Sequence, residues 1–329
     1  MQKIKFIIFS LLAMLISCSG NEENSYQANV YIVGGNDIGE PIATSVLWIN
    51  DDVVELSAKS TGVNSVYVND GNIYTAGYRY EDEYYNSPYY ATLWTNGNIA
   101  TLSQHTSCAF SVFAEGKVYV AGYEKIEDNP LATLWVNGVA TRLSNFDSKA
   151  CSVFVSQGII YVVGRIKNDD GICNAVVWKN GISTILSTNP SFAYSVFVKN
   201  GNVYIAGDDN DNATLWVNGE AETLSNEYSA AYSVFVENNK VYVAGENNNA
   251  ATLWVNGVST ALSTDYSSAS SVFVAGGNVY VAGISDGLIY HQVGFPTLWV
   301  NGEQKILSTE GATRFIDPFN FYVSGIFVK

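Results

Sequence analysis

The chain has 329 residues, of which 47% are apolar and 14% charged, a composition typical of a folded protein rather than a disordered one. Its formal net charge is −15, with 31 acidic side chains against 16 basic ones. Such a surface repels phosphate backbones, and no cluster of lysines or arginines offsets it. The composition therefore argues against a nucleic-acid ligand.

The N-terminal residues 1–17 predict a secretory signal. Lys3 and Lys5 precede a mainly apolar core of eleven residues, 6–16, which is too short to span a bilayer. The core ends in the letters LISC, which resemble the bacterial lipobox. That resemblance implies cleavage before Cys18, lipid attachment to Cys18 and a tether over 18–27, with an outer-membrane anchor indicated by Ser19. The periplasmic and surface sides stay open, and the alternative is an ordinary signal peptide with an incidental cysteine.

A repeat of 38 to 46 residues fills the rest of the chain. All seven tryptophans occupy one position in it, and each is followed nine residues later by a serine. In six repeats a second serine stands eight residues after the first. The tryptophans are Trp48, Trp94, Trp135, Trp178, Trp216, Trp254 and Trp299, and the second serines are Ser65, Ser111, Ser152, Ser195, Ser233 and Ser271.

Each repeat predicts four short strands. The unit 233–263 contains the runs SVFV, KVYVAG, ATLWVNG and STALS, which are rich in the β-branched and aromatic residues that strands favour. The first two runs are apolar on both alternating faces, so both of their faces should be buried. Asn256-Gly257 between the last two runs predicts a type I′ hairpin, in which both residues need positive φ.

Four antiparallel strands at this period indicate the blade of a β-propeller. At the start of the ring, 29–34 reads as a second strand with no first strand before it, and 324–329 reads as a first strand with nothing after it. We therefore predict an all-β, seven-bladed β-propeller of four-stranded antiparallel blades over 28–329. The C-terminal strand should close the ring by pairing with the N-terminal strands.

Two further features concern small residues. An alanine stands two positions before the second serine in five blades, where it suits either the rim of a central channel or close backbone packing. Cys108, Cys151 and Cys173 have no regular spacing, so we interpret them as small buried residues rather than as a disulfide framework or a zinc site. A Cys108–Cys151 bridge is left open.

One blade carries a family resemblance. The letters AVVWKNG at 175–181, then Leu186-Ser187, Ala193-Tyr194-Ser195-Val196 and GNVYIAG at 201–207 resemble the HAF-type (LWxNG) repeats of bacterial extracellular proteins. They resemble Kelch-like blades more distantly, and the likeness covers about 28–329. The chain departs from the HAF pattern where its LGTLGG segment is reduced to Leu-Ser, and it lacks the Kelch double glycine in most blades. The resemblance implies a propeller fold and an extracellular location rather than an activity.

Loop lengths point to one face of the ring. From the glycine that ends the second strand to the tryptophan there are nine residues in blades 5 and 6, but thirteen to seventeen in the other blades. The link from blade 7 to blade 1 is also long. All these segments emerge on one face, mostly over blades 7, 1 and 2, so they predict a binding face, with neutral drift of surface loops as the alternative.

The long loops supply the candidate ligand-binding residues. Tyrosines beside Asn, Asp and Arg suit sugar faces and protein hot spots, although the same composition could form a loop folded on its own aromatic rings. The candidates are Tyr78, Arg79, Tyr80, Tyr84, Tyr85, Tyr89, Tyr90, Tyr290, His291, Arg314, Asp317 and Phe319.

Catalytic and metal-binding motifs are weak. His105 and His291 are isolated, and neither belongs to a nucleophile or metal motif. The acidic run 208–212 could suit calcium but lacks the EF-hand pattern, so a tight turn is the preferred interpretation, and no cofactor is predicted. We predict a non-enzymatic binding or scaffolding propeller for a protein or glycan ligand, with the membrane as a partner only through the anchor.

Two alternative functions remain. A carbohydrate-active enzyme, a hydrolase or lyase, would need acidic or basic residues converging at the mouth of the channel. A channel lined mostly by Ala, Ser and Val would count against it. A purely structural surface repeat is the other alternative.

Overall fold

The computed structural model describes residues 28–36, 44–50, 52–56, 61–82, 87–263, 266–286, 294–309 and 321–329. Within these ranges the chain forms 28 strands in seven four-stranded antiparallel sheets, which confirms the all-β, seven-bladed propeller. Cys18, the predicted signal and the tether lie outside the described residues. In the described part of the chain, no helix is long and apolar enough to cross a membrane.

The strands follow the predicted order in every blade. Blade 1 contains β28 (Phe321–Val328), β1 (Val30–Asn36), β2 (Thr44–Ile49) and β3 (Asp52–Glu55), and blade 2 contains β4 (Thr61–Asn69), β5 (Asn72–Tyr80), β6 (Tyr89–Thr95) and β7 (Asn98–Thr101). Blade 3 contains β8 (Ser107–Glu115), β9 (Lys117–Ile126), β10 (Asn129–Val136) and β11 (Val139–Arg142), and blade 4 contains β12 (Ser148–Ser156), β13 (Ile159–Lys167), β14 (Cys173–Lys179) and β15 (Ile182–Ile185). Blade 5 contains β16 (Ser191–Lys199), β17 (Asn202–Asp209), β18 (Asn212–Val217) and β19 (Glu220–Thr223), and blade 6 contains β20 (Ser229–Glu237), β21 (Lys240–Asn247), β22 (Ala250–Val255) and β23 (Val258–Ala261). Blade 7 contains β24 (Ser268–Ala275), β25 (Asn278–Ser285), β26 (Phe295–Val300) and β27 (Glu303–Ile306).

The two ends of the ring meet in blade 1, as predicted. Strand β28 pairs antiparallel with β1, and Ile326 lies opposite Ile32. Asn29 and Lys329 exchange both backbone hydrogen bonds, at 2.7 and 2.9 Å. The last strand is therefore the inner strand of the first blade, and no sheet is left incomplete.

The Asn-Gly hairpins have the conformation that the sequence predicts. Asn256 and Gly257 have φ of 50° and 79°, as a type I′ turn requires. Asn256 also accepts a hydrogen bond through Oδ1 from the backbone N–H of Val241, at 2.9 Å. The same bond is donated by Val118 to Asn137 and by Val279 to Asn301, so the asparagine also ties the outer hairpin to the second strand.

The tryptophans and alanines form the packing between blades. All seven tryptophans are at most 1% exposed, and Trp178 of blade 4 packs against Ala132 and Leu134 of blade 3. Ala109, Ala150, Ala193, Ala231 and Ala269 are fully buried in these clusters or beside them. Close backbone packing, and not the channel rim, is therefore the reason for the repeated alanine.

Each inner strand contains a β-bulge that the sequence analysis missed. In blade 6, Ala231 pairs with Gly245 and Ser233 with Ala244, so Tyr232 is an extra residue without a partner. A β-carbon on Gly245 would lie 2.0 Å from the carbonyl oxygen of Ala230, so only glycine fits opposite the bulge. The repeated alanine, serine and glycine are therefore all parts of the same β-bulge. The seven bulge residues are Asn64, Phe110, Cys151, Tyr194, Tyr232, Ser270 and Ser324.

The second serine of each repeat links neighbouring blades. The hydroxyl of Ser152 accepts a hydrogen bond from the backbone N–H of Val196 in the next blade, at 3.3 Å. The same bond from the next blade is accepted by Ser65, Ser111, Ser195, Ser233 and Ser271. Gly325 takes the serine position in blade 1, where Ser324 Oγ instead donates to the carbonyl oxygen of Val63 at 2.7 Å.

Seven aromatic side chains, one from each blade, encircle the propeller axis at the position two residues after these serines. We call them the aromatic belt. Each side chain lies with its centroid 4.5 to 5.0 Å from both neighbours, so the chain of contacts passes through every blade and closes on itself. The members are Tyr67, Phe113, Phe154, Phe197, Phe235, Phe273 and Phe327. The aromatic belt is closer than the serines to the short first hairpins and lies farther from the long loops.

Candidate functional site

The predicted tyrosines of blade 2 form a packed cluster. The ring centroids of Tyr78, Tyr80 and Tyr89 lie 5.4 to 5.6 Å from one another. The Tyr89 hydroxyl is hydrogen-bonded to that of Tyr123 in blade 3, at 2.8 Å. We call these four residues the tyrosine cluster. Residues 78–80 and 89–90 of the predicted loop therefore belong to strands β5 and β6.

The other predicted site residues are not brought into this cluster. Arg79 pairs with Tyr90 across β5 and β6, one residue out of phase with the tyrosine cluster and hence on the opposite sheet face. The Tyr90 hydroxyl donates to Glu81 at 3.1 Å. Seven further candidates lie outside the described residues, so their position is untested: Tyr84, Tyr85, Tyr290, His291, Arg314, Asp317 and Phe319.

A cavity of about 710 Å³ opens at the centre of the ring, and all seven bulge residues line it. Its wall continues with Lys149, Phe192, Ser268 and Tyr322 at the starts of inner strands, and with Arg165 and Ile284 at the ends of second strands. Inner strands start on the face that carries the long loops, so the cavity opens there. We call it the channel mouth, and its size suits a small organic ligand or the end of a longer one.

The channel narrows below the mouth. A smaller cavity of about 150 Å³ is lined by the bulge residues together with the inter-blade serines, including Ser65, Ser152 and Ser233. The aromatic belt lies below this smaller cavity, toward the short first hairpins. The mouth therefore narrows to a polar floor, formed by the serines and bulge residues of the smaller cavity, with apolar aromatic side chains below this floor.

Blade 4 contributes two cations to the mouth. Lys149 and Arg165 lie directly opposite each other in the register of β12 and β13. The Lys149 ammonium is 4.9 Å from the centroid of Tyr123, and the Arg165 guanidinium is 5.7 Å from that of Phe192. Arg165 Nη1 donates to Cys173 Sγ at 2.7 Å and lies 3.8 Å from Asp147, a loose ion pair.

Two carboxylates stand behind the tyrosines of the next two blades, 5 and 6. Asp208 accepts a hydrogen bond from Tyr194, and Glu246 accepts one from Tyr232. Burial raises the pKa of Asp208 to about 6, against the lowering effect of the Tyr194 hydrogen bond, and burial likewise raises the pKa of Glu246. Burial and the neighbouring carboxylates raise the pKa of both tyrosines, so the two hydroxyls remain donors.

Replacing Asp208 with asparagine should stabilise the protein at high pH. Because the folded state raises the pKa of Asp208 from 3.8 to about 6, its ionisation opposes folding above about pH 6, and this cost disappears as the pH falls toward 4. Asp208→Asn should therefore raise the free energy of unfolding by about 2 to 3 kcal/mol at pH 8 and by little at pH 4. Urea unfolding at pH 8, 6 and 4 measures this, and a variant less stable than the parent at pH 8 would contradict it.

The three cysteines of the ring are unpaired. Cys108 lies between blades, where its sulfur is 3.5 Å from Asn64 Nδ2, whereas Cys151 is a bulge residue of the mouth. Desolvation raises the pKa of Cys108 to about 12 and that of Cys151 to about 11, although nearby Lys149 lowers both. Both are thiols at neutral pH, so the structure does not support a thiolate nucleophile in the mouth.

The acidic run 208–212 is the tight turn that the sequence favoured. Asn210 and Asp211 have φ of 53° and 61°, and Asn212 Nδ2 donates to the carbonyl oxygen of Asn210 at 2.9 Å. No group of three or more His, Cys, Asp or Glu residues in the described ranges is arranged to hold a metal ion. His105 is exposed in the link between blades 2 and 3, and its N–H donates to Ser103 Oγ.

Sequence reasoning missed most of the mouth. The predicted site lay on the loops of variable length and therefore did not include Lys149, Arg165, Tyr194 or Tyr232. The signal was variation of residue type at positions of constant spacing. The residue before the second serine and the residue after the second-strand glycine differ from blade to blade, and both positions line or adjoin the cavity.

The fold is similar to that of propeller domains in solved peptidases, whereas the sequence matches no family model and no curated protein. A puromycin-hydrolyzing peptidase of Mycobacterium tuberculosis aligns with a TM-score of 0.56 and 10% identity over 89% of this chain and 54% of that one. The β-propeller domain of the Trilobed protease from Pyrococcus furiosus gives 0.52 and 12% over 86% and 95%. An acylaminoacyl peptidase of Pyrococcus horikoshii gives 0.53 and 12% over 85% and 50%.

These similarities show the fold alone. The chain spans about half the length of the two peptidases. The Pyrococcus furiosus domain is described as having an open velcro topology, whereas β28 closes the ring here.

Proposed function

We propose that this chain is a non-enzymatic binding propeller whose protein or glycan ligand enters the channel mouth on the face of the long loops. The observation that carries the proposal is the convergence of non-repeating residues on one cavity. The repeated Trp, Ala, Ser and Gly build the ring, while the bulge residues vary in type at a fixed position and face one space. Variation confined to a shared cavity is what a binding site on a repeat scaffold requires.

Exposed aromatic side chains extend this face beyond the mouth. Phe146, Tyr228 and Tyr266 lie in links between blades and are 60%, 66% and 43% exposed. The tyrosine cluster adjoins the mouth through Tyr123, whose ring centroid is 5.7 Å from that of Phe110. A ligand longer than the cavity would therefore meet further aromatic surface as it leaves the mouth.

The enzyme alternative receives less support from the site. The mouth is not lined mostly by Ala, Ser and Val, so that criterion does not weigh against catalysis. However, Asp208 and Glu246 lie behind Tyr194 and Tyr232, outside the cavity wall. Lys149 and Arg165 do converge at the mouth, as the enzyme alternative required, but among the described residues no carboxylate lines the cavity beside them. A hydrolase acting through two carboxylates would need both to reach the reacting bond, and we therefore place binding first.

A binding screen with fragment 21–329 tests the proposal, because this fragment contains every strand of the ring. The fragment is applied to a glycan array and to envelope proteins. A second protein joins Tyr80 to Tyr89 through Asn-Gly in place of 81–88. We expect a ligand whose affinity falls less than about tenfold in the shortened protein, because the cavity wall is kept. Loss of binding by more than 100-fold would move the site from the mouth to the loop.

Anchoring through Cys18 belongs to the same proposal and has its own test. We expect Cys18→Ser to move the full-length protein from the membrane fraction to the soluble fraction, since stable anchoring depends on attached acyl chains. Fractionation and mass spectrometry of the N-terminus measure this, and Cys173→Ser is the matched control. A Cys18→Ser protein that stays in the membrane fraction would contradict the anchor.

A further inference from the structure

We propose that the ligand of the channel mouth is an acidic sugar, whose carboxylate lies between Lys149 and Arg165 and whose hydroxyls face the floor. This inference rests on the proposed function and names the ligand class of the same site. It follows from which charges line the cavity, which hydrogen-bonding atoms remain at its floor, and how its aromatic rings are arranged.

The charges of the mouth are opposite to those of the whole chain. The protein has 31 acidic and 16 basic side chains, yet the two charged residues that line the cavity are Lys149 and Arg165. They lie directly opposite each other on adjacent strands, where like charges destabilise a sheet. Over the residues that the structure describes, Asp147 is the carboxylate within 4 Å of Arg165, at 3.8 Å, and Lys149 has none. A bound anion would relieve this repulsion.

The floor and wall of the mouth are rich in hydrogen-bonding oxygen atoms. Asn64 Nδ2 donates to the carbonyl oxygen of Ala109 at 2.8 Å, and the Ser324 hydroxyl donates to that of Val63. Above the floor, on the wall of the mouth, the Ser268 hydroxyl donates to Glu246. Each of these three side chains thus uses a donor within the protein and keeps oxygen lone pairs for another donor. The inter-blade serines of the floor accept from backbone N–H groups and keep their own hydroxyl donors. A ligand that satisfies the mouth must therefore both donate and accept hydrogen bonds at the floor and bring a negative charge to blade 4.

A sugar carrying a carboxylate meets both requirements. Its hydroxyls donate to the floor, and its carboxylate accepts from the ammonium and guanidinium groups. Phe192 and Tyr194 lie in parallel planes, 3° apart with centroids separated by 6.0 Å, and give the wall an aromatic surface for the face of a sugar ring. A peptide C-terminus carries a carboxylate but brings fewer hydroxyl groups to the floor than a sugar ring does.

The charge and hydroxyl requirements can be tested with matched probes. Calorimetric titration of fragment 21–329 uses the methyl glycosides of glucuronate and galacturonate, their neutral glucose and galactose counterparts, and N-acetyl-Gly-Phe. We expect at least one uronate to bind at least tenfold more tightly than its neutral counterpart. Preference for N-acetyl-Gly-Phe, or equal binding of acidic and neutral sugars, would overturn the inference.

Variants separate this inference from the proposed function. Lys149→Met should weaken uronate binding at least tenfold while leaving the thermal unfolding temperature nearly unchanged. Lys199→Met is the matched control, because Lys199 lies at the far end of an inner strand and pairs with Glu237 at 2.9 Å. Uronate affinity equal in the parent and Lys149→Met proteins would overturn the inference. If the mouth instead binds a neutral or peptide ligand from the screen, the proposed function stands and the acidic-sugar class fails.

Discussion

Replacing Gly245 with alanine is expected to lower the free energy of unfolding by about 3 kcal/mol. The new β-carbon would lie 2.0 Å from the carbonyl oxygen of Ala230 and 3.0 Å from the α-carbon of Ala231. Both contacts are to backbone, which cannot rotate away as a flexible side chain can. The bulge at Tyr232 must therefore open, and the inner strand pair of blade 6 separates with it. Urea unfolding followed by tryptophan fluorescence measures the loss.

Gly138→Ala is the control for this substitution. Gly138 has φ of 81°, and a β-carbon there meets no atom within 4 Å. Its replacement should cost only about 1 to 2 kcal/mol, the penalty of the left-handed conformation. Equal losses in the two proteins would mean that backbone freedom, and not close approach at the bulge, accounts for the second-strand glycine.

The blade and the ring closure could be predicted because their signals are local or periodic. Trp254 and Asn256-Gly257 mark a strand and its turn within a few residues, and the turn chemistry allows few conformations. The incomplete repeats at the two ends then required the C-terminal strand to pair with the N-terminal strands, and the structure confirms this pairing. None of these steps needed knowledge of side-chain contacts.

The bulge could not be predicted from the hydrophobic pattern. Apolar residues occupy both alternating faces of an inner strand such as β20, so inserting one extra residue leaves no visible break in the alternation. The position of Tyr232 became clear only from the register, in which Ala231 and Ser233 face consecutive residues of β21. The repeated glycine was the indirect signal, since a strand interior rarely needs one.

The candidate site was predicted only in part, because strand register and ring closure bring most of its residues together. Loop lengths led to the blade 2 tyrosines, and three of them do pack together. Lys149 and Arg165 are sixteen residues apart in sequence, and only the register of β12 and β13 places them side by side. Phe110 and Tyr194 belong to different blades and share a cavity because the ring closes. Convergence of this kind depends on the whole fold.

A tryptophan at Ser270 is expected to lower the affinity of the mouth for its ligand at least 100-fold, or about 2.7 kcal/mol. Ser270 lines both the mouth and the narrower cavity below it. The same bulge position holds Phe110, Tyr194 and Tyr232 in other blades, so the fold already accommodates large aromatic side chains there. The indole should therefore occupy ligand space without opening the ring, and the thermal unfolding temperature should change by only a few degrees.

Ser259→Trp provides the comparison, because Ser259 is exposed on the outermost strand of blade 6, far from the channel. Calorimetry with the ligand recovered in the screen measures both proteins. Full affinity in a folded Ser270→Trp protein would place the ligand elsewhere on the propeller. A loss confined to Ser270→Trp would assign it to the mouth, because the two proteins carry the same added side chain. The β-bulge is present in every blade, but the type of its extra residue varies. The substitution therefore tests whether these variable bulge residues determine which ligand the propeller binds.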